Sequence, residues 1–277
     1  MKNFKKFLSK NFEIYYIKTG TFKLDGGAMF GTVPKVIWNR IYPCDNNNRI
    51  TLSQNSLIVV SEDFKLLIEP GCGNKWNERR KKIFEFEGGI ANLKNFGFSP
   101  DEITHVSFTH LHFDHAGGAT ELINGDLKPF FKNAEYLIRK EELEDAINSN
   151  ERTKASYLKE DFMPLIKVQK VKEIEKDCEI LPGIKIIKTG GHTRGHVVFL
   201  IEDKILFFGD LVPTAKHIHL PYIMAYDNLP LETLEKRKEI YRMCMEKEIQ
   251  IFFPHDTELK TGYIIQKEGK YTLKEIE

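Results

Sequence analysis

Ile103-Thr104-His105-Val106-Ser107-Phe108-Thr109-His110-Leu111-His112-Phe113-Asp114-His115-Ala116-Gly117-Gly118 is the stretch on which the reading of this chain turns. Up to Thr109 it is β-branched and aromatic, the composition of a strand. It then runs into three histidines and an aspartate, and ends in a Gly-Gly break. The cluster is therefore expected on a strand-to-helix loop. Imidazole and carboxylate are good ligands for a borderline divalent metal such as zinc. One turn cannot direct all four side chains at one ion. If His110 and His112 point one way and Asp114 and His115 the other, the segment serves two adjacent ions, each needing ligands from elsewhere. The sequence offers His192 after Gly190-Gly191, Asp210 after Gly209, and His255 after Pro254.

Each of these follows a predicted strand: Ile184 to Thr189, Ile205 to Phe208 and Ile251 to Phe253. Four strand-end loops can converge on one edge of a sandwich, where rigid strands hold short loops in place. Short apolar runs alternate with helix-period segments elsewhere, the pattern of an α/β sandwich. A hairpin is expected from Ser56 to Val60 and Phe64 to Glu69, with further strands at Glu135 to Ile138 and Val197 to Ile201. Helices are expected near Trp76 to Phe86, Gly88 to Phe96, Glu141 to Ile147, Thr153 to Asp161 and Leu231 to Glu248. Residues 1–50, rich in Phe, Tyr, Gly and Asn, read as strands and loops added in front of the core. The whole is expected to be one domain.

Composition narrows the partners. With 277 residues, 41 Lys and Arg against 40 Asp and Glu, the net charge of +1 gives no global field for nucleic acid or an anionic membrane, so a small neutral substrate is expected. Cys44, Cys72, Cys178 and Cys244 are far apart and form no Cys-x-x-Cys pair, which reads as reduced thiols in the cytoplasm. The first sixteen residues are interrupted by Lys5, Lys6, Lys10 and Glu13, unlike a signal peptide, and no stretch approaches membrane-spanning length.

The seven positions together resemble the metallo-β-lactamase superfamily, over roughly Ser56 to His255. The resemblance implies a four-layer αββα sandwich and a metal-dependent hydrolase. His110, His112 and His192 would hold one ion and Asp114, His115 and His255 the other. Asp210 would bridge them together with a water or hydroxide. Two cations about 3.5 to 4 Å apart acidify that water and polarise the electrophile. Asp114, the one non-bridging carboxylate, is a candidate to pass a proton to the leaving group. Zinc is the expected metal, with manganese, iron or cobalt open.

The flanks narrow the branch. Asp25-Gly26-Gly27-Ala28-Met29-Phe30-Gly31 with Val33-Pro34, and Gly209-Asp210-Leu211-Val212-Pro213-Thr214 with His217, His219, Leu220 and Pro221, resemble the quorum-quenching lactonase and methyl parathion hydrolase-like branch. That resemblance implies a lactone or related ester as substrate, an acyl-homoserine lactone among the candidates, and a homodimer. Phosphotriester or aryl ester hydrolysis is the alternative. β-Lactamase activity is disfavoured by the missing secretory signal, and ribonuclease activity by the neutral charge. A di-iron redox protein would need an attached flavin domain, for which few residues remain after His255.

Two departures bear on the site. Where some lactonases of the branch carry a Tyr donor three residues after the bridging aspartate, this chain has Pro213, leaving either His217, His219, Tyr222 or Tyr226 to donate or the substrate to do without. Glu69-Pro70-Gly71 stands where the family has Asp-Thr-Gly supporting the ligands, so the orientation of those ligands is left open. In an extended segment His217 and His219 would share one side. His196 reads as a ligand support or a structural histidine, and His105 as structural. Met29, Phe30, Trp38 and Tyr42 read as packing or as an apolar wall. Arg79-Arg80-Lys81-Lys82 reads as a solvated helix face.

Overall fold

The computed structural model describes residues 3–276. Its contacts gather into two compact units: the N-terminal residues through Thr21 with Gln54–Lys176, and Phe22–Ser53 with the residues from Asp177 onward. The segment read as an N-terminal addition is therefore divided between the two.

The principal path of the eight-stranded sheet runs Phe4–Leu8, Glu13–Asp25, Arg49–Val60, Lys65–Ile68, His105–Ser107, Glu135–Arg139 and Val171–Ile174. The last four strands are mutually parallel, and the hairpin between Arg49–Val60 and Lys65–Ile68 is antiparallel. Leu66, Leu67, Ile68, Val106, Tyr136, Leu137 and Ile138 are all buried, the continuous apolar run that parallel strands need when both faces are covered. Ile58, Leu67, Val106, Tyr136, Phe162 and Leu165 belong to the core of this first unit. The sheet of the second unit runs Cys178–Leu181, Ile184–Lys188, Val197–Ile201, Ile205–Phe207, Gln250–Phe252, Thr261–Lys267 and Lys270–Glu275. Its parallel pair is Ile205–Phe207 with Gln250–Phe252. A parallel pair requires a crossover, supplied by the helix Pro230–Glu246, whose opening proline suits a position that needs no N–H.

Element types agree with expectation along most of the chain, and three differences have identifiable causes. The helix placed at Thr153 to Asp161 lies instead at Lys159–Lys167. The Asn150 side-chain oxygen Oδ1 accepts from the N–H groups of Arg152 and Thr153, a side-chain turn that competes with helix. Pro164 is tolerated inside the helix because the carbonyl it frees, that of Glu160, accepts from the Thr120 hydroxyl at 2.8 Å. Within the first fifty residues, Gly26–Phe30 and Lys35–Ile41 are short helices rather than loop. Asp25 caps the first by accepting from the Ala28 N–H at 2.7 Å. Gly26 leaves room for Trp38, whose ring would lie 2.5 Å from a Cβ there. Two hairpins were not anticipated, Thr120–Ile123 with Asp126–Pro129 and Thr261–Lys267 with Lys270–Glu275. They turn on Asn124-Gly125 and Glu268-Gly269, all four with positive φ. Among the described residues no helix is long and apolar enough to cross a membrane.

Candidate metal centre

In the first unit, strand His105–Ser107 runs parallel between Lys65–Ile68 and Glu135–Arg139, and its end is pinned by the Ser107 hydroxyl donating to Leu137 O at 2.8 Å. The chain then reverses into the one-turn helix Phe113–Ala116, with His112 at its N-cap. His110 and His112 thus precede the helix while Asp114 and His115 lie within it. The turn is held by its backbone. The Leu111 N–H donates to Glu142 Oε1 at 2.9 Å, the Phe113 N–H to Ser156 O at 2.9 Å, and the Tyr157 hydroxyl also donates to that Glu142 oxygen. The His110 ring centroid lies 4.5 Å from that of His112 and 4.1 Å from that of His115, and all four side chains are buried.

Glu69 reaches this cluster. In a left-handed backbone conformation just past strand Lys65–Ile68, it accepts from the Thr109 hydroxyl through one oxygen and lies 2.9 Å from His115 Nδ1 through the other. Thr109 Oγ1 is also 3.0 Å from His110 Nδ1. A carboxylate on Nδ1 fixes the tautomer and orientation of an imidazole and leaves Nε2 as the ligand atom, with raised basicity. The longer side chain thus brings a carboxylate oxygen within 2.9 Å of His115 Nδ1.

The second unit repeats this logic. His192 follows Gly190 and Gly191, both with positive φ; a Cβ on Gly190 would lie 2.1 Å from Glu232 Oε1, and one on Gly191 2.4 Å from Thr233 Oγ1. His192 Nδ1 is 2.8 Å from Asp227 Oδ1. His255 Nδ1 is 2.9 Å from Ser53 O. Asp210 lies in the 3-10 turn Gly209–Leu211 beyond strand Ile205–Phe207. Its backbone N–H donates to His196 Nε2 at 3.0 Å, while His196 Nδ1 is 2.6 Å from Thr189 Oγ1, so His196 supports a candidate ligand's backbone. The Asp210 carboxylate spans two imidazoles: Oδ2 is 3.4 Å from His192 Nε2 and Oδ1 is 3.2 Å from His255 Nε2. One oxygen for each of two imidazoles is the disposition of a bridging carboxylate. Imidazole nitrogens oriented by their opposite nitrogens, with a shared carboxylate, fit a divalent metal of the zinc type.

His217 and His219 part company. Ala215–Ile218 is a 3-10 turn, not an extended segment, so the two rings do not share a side. His217 is fully buried, its Nδ1 2.8 Å from Thr214 Oγ1 and its Nε2 3.0 Å from Met29 O, and its ring stacks on Phe30 at 4.5 Å. Burial first, then the Arg237 cation, push its pKa down to about 3, so the ring is neutral. His219 is half-buried, edge-on to Tyr222 at 4.9 Å, its pKa also lowered, mainly by burial. Pro213 contributes its carbonyl, which accepts the His255 N–H at 2.9 Å. Phe30 also stacks on Trp38 and meets Tyr42 and Tyr222 edge-on, so these aromatics pack together on the post-Asp210 loop. His105 lies 2.9 Å from Thr104 Oγ1 and edge-on to Phe64, a structural placement. Helix Glu78–Phe84, which carries the basic run, buries none of its residues.

Sequence reasoning missed Asp227 and Arg237. Asp227 sits in a loop without periodicity, where nothing marks it. Arg237 shares the buried face of helix Pro230–Glu246 with Thr233, Ile240, Tyr241 and Cys244. It donates to Leu211 O at 2.7 Å, His217 O at 3.1 Å and Tyr222 O at 2.7 Å. Its spacing from those apolar neighbours was the available signal.

Comparison with known proteins agrees with this geometry. Residues 49–264 match the metallo-beta-lactamase superfamily, more than half of the chain. An N-acyl homoserine lactonase from a Bacillus species is 34% identical over 187 residues, 65% of this chain and 67% of that protein. The crystal structure of a probable metal-dependent hydrolase from Staphylococcus aureus is 30% identical with a TM-score of 0.85, covering 98% of this chain and all of that one. AidC, described as a dizinc quorum-quenching lactonase, is 19% identical with a TM-score of 0.81 over 98% of this chain and 96% of its own, a likeness of fold. The relatives are thus named as lactonases and metal-dependent hydrolases, and the αββα class expected from the motif is the class these comparisons return. The chain belongs to the metallo-beta-lactamase superfamily.

Proposed function

We propose that this protein is a two-metal hydrolase of lactones, acyl-homoserine lactones foremost. On this reading His110, His112 and His192 hold one ion, Asp114, His115 and His255 the other, and Asp210 is shared. The observation that carries it is the Asp210 carboxylate with one oxygen toward His192 Nε2 and the other toward His255 Nε2, each ring oriented through its far nitrogen. Two bound divalent ions, zinc by the nitrogen and oxygen donor set, supply Lewis acidity and a nucleophilic water near neutral pH. The chain's own residues do the rest. Glu69 and Asp227 keep His115 and His192 presenting Nε2, and His196 holds the Asp210 backbone. Asp114 moves a proton to the alkoxide oxygen of the opened ring. With Pro213 unable to donate and His217 committed to Thr214 and Met29, His219 beside Tyr222 is the loop histidine left to contact substrate. The four cysteines are free, which supports a reducing compartment such as the cytoplasm.

The test is a hydrolysis panel on metal-loaded protein: acyl-homoserine lactones, aryl esters, a phosphotriester and a β-lactam, with Asp210→Asn as control. Lactone turnover abolished by Asp210→Asn is expected. Turnover confined to the phosphotriester would transfer the function to that class, and none on any ester would refute the reading.

A further inference from the structure

Lys75 and Asp161 form an ion pair shut off from water, with side chains 2% and 0% exposed and Nζ 2.6 Å from Oδ1. Burying both charges is costly, and apolar residues of similar volume often serve stability as well. The remaining donors of Lys75 indicate another use. Nζ donates to Gly117 O and lies 3.5 Å from Thr120 O. Gly117 is the C-cap of the one-turn helix Phe113–Ala116, which carries Asp114 and His115. A cation at the carbonyl end of a helix is favourable, and a helix this short depends on outside tethers.

The loop leading to Lys75 lies flush against the same end. The Gly71 N–H donates to His115 O at 3.2 Å, and the Gly118 N–H to Gly71 O at 2.7 Å. A Cβ on Gly117 would stand 2.2 Å from Cys72 O, and one on Gly73 2.4 Å from Gly117 O. Asp161, on helix Lys159–Lys167, fixes Lys75 from its other side, and that helix is tied back by the Thr120 hydroxyl on Glu160 O.

We propose that Lys75 and Asp161 are positioning residues that set the pose of Asp114 and His115 as ligands to one of the two ions, an inference that rests on the two-metal reading. It predicts a selective effect. Loss of the pair weakens the ion held by Asp114 and His115 and spares the other, whereas a merely structural pair weakens neither or both.

The test titrates metal-free full-length protein with Zn2+ against a chromophoric chelator, resolving the two equivalents, with Asp114→Asn marking the equivalent affected. The paired variant Lys75→Met/Asp161→Leu removes both charges together, and the near-isosteric Asp161→Asn is read beside it so that one folded variant suffices. Expected is one equivalent at wild-type affinity and the other, the one lost in Asp114→Asn, weakened about 10- to 100-fold. Two equivalents of wild-type affinity in a folded variant, or both weakened alike, overturn the proposal. Wild-type protein that takes fewer than two equivalents refutes the two-metal reading instead.

Discussion

Lowering the pH should unfold this protein in part through His217. The ring is fully enclosed, bonded through both nitrogens and stacked on Phe30, with the Arg237 guanidinium close by. Burial and that cation hold its pKa at about 3, against the ordinary value of 6.5. Between those values the folded state keeps His217 neutral while the unfolded chain takes up a proton. The unfolded state therefore binds the extra proton, and stability falls as pH drops below 6.5, levelling out below about 3. One proton corresponds to about 1.4 kcal/mol per pH unit, or about 5 kcal/mol across the window, a large part of a typical domain's stability of about 5 to 15 kcal/mol. Urea denaturation followed by circular dichroism from pH 4 to 8 measures it, comparing the wild type with His217→Gln. The variant will be weaker at every pH, so the slope is what counts. Below pH 6.5 the wild-type curve should fall more steeply by about one proton, the other titrating groups cancelling between the two proteins. Parallel curves would refute the reasoning, as would an NMR titration of this ring near its ordinary value.

Two further substitutions test how the candidate site is supported. Arg237→Leu removes donors from Leu211 O, His217 O and Tyr222 O, and should cost about 3 to 5 kcal/mol by chemical denaturation, with Arg237→Lys recovering part; a loss under about 1 kcal/mol would contradict the clamp. Asp227→Asn should leave unfolding nearly unchanged and weaken metal binding about 10- to 100-fold in a chelator competition, since the partner of His192 Nδ1 loses its charge; unchanged affinity would mean that Asp227 does not tune His192.

The parts legible in advance were those written in neighbouring residues. The strand before His110 and the reversal at His112 follow from β-branched content, ligand spacing and Gly117-Gly118. His192, Asp210 and His255 each lie just past a strand that its own apolar run announces. Asn124-Gly125, at the turn of Thr120–Ile123 with Asp126–Pro129, is an equally local hairpin signal. The rest depends on partners distant in the chain. Whether Glu69 reaches His115 is decided by a left-handed backbone and a hydroxyl forty residues away at Thr109. Asp227 and Arg237 act on groups 35 and 15 to 26 residues distant, with no local pattern naming the acceptor. The divergence of His217 from His219 followed from a 3-10 turn that no residue between Thr214 and Ile218 signals. Pro164 illustrates the reverse: a helix breaker by rule, accommodated because Thr120 satisfies the freed carbonyl.

The Arg237 clamp bears on how such an enzyme can diversify. Upstream of Asp210 the chain is committed to the sheet, the Phe208 N–H donating to Phe252 O. Downstream, one guanidinium grips the segment from Leu211 to Tyr222 by its main-chain carbonyls. A grip on carbonyls is blind to side-chain identity. Mutation can therefore exchange the side chains of that segment while the backbone course, and the aspartate at its head, stay put. Pro213 lies inside that gripped segment, so a change of its side chain leaves the three carbonyl contacts of Arg237 in place.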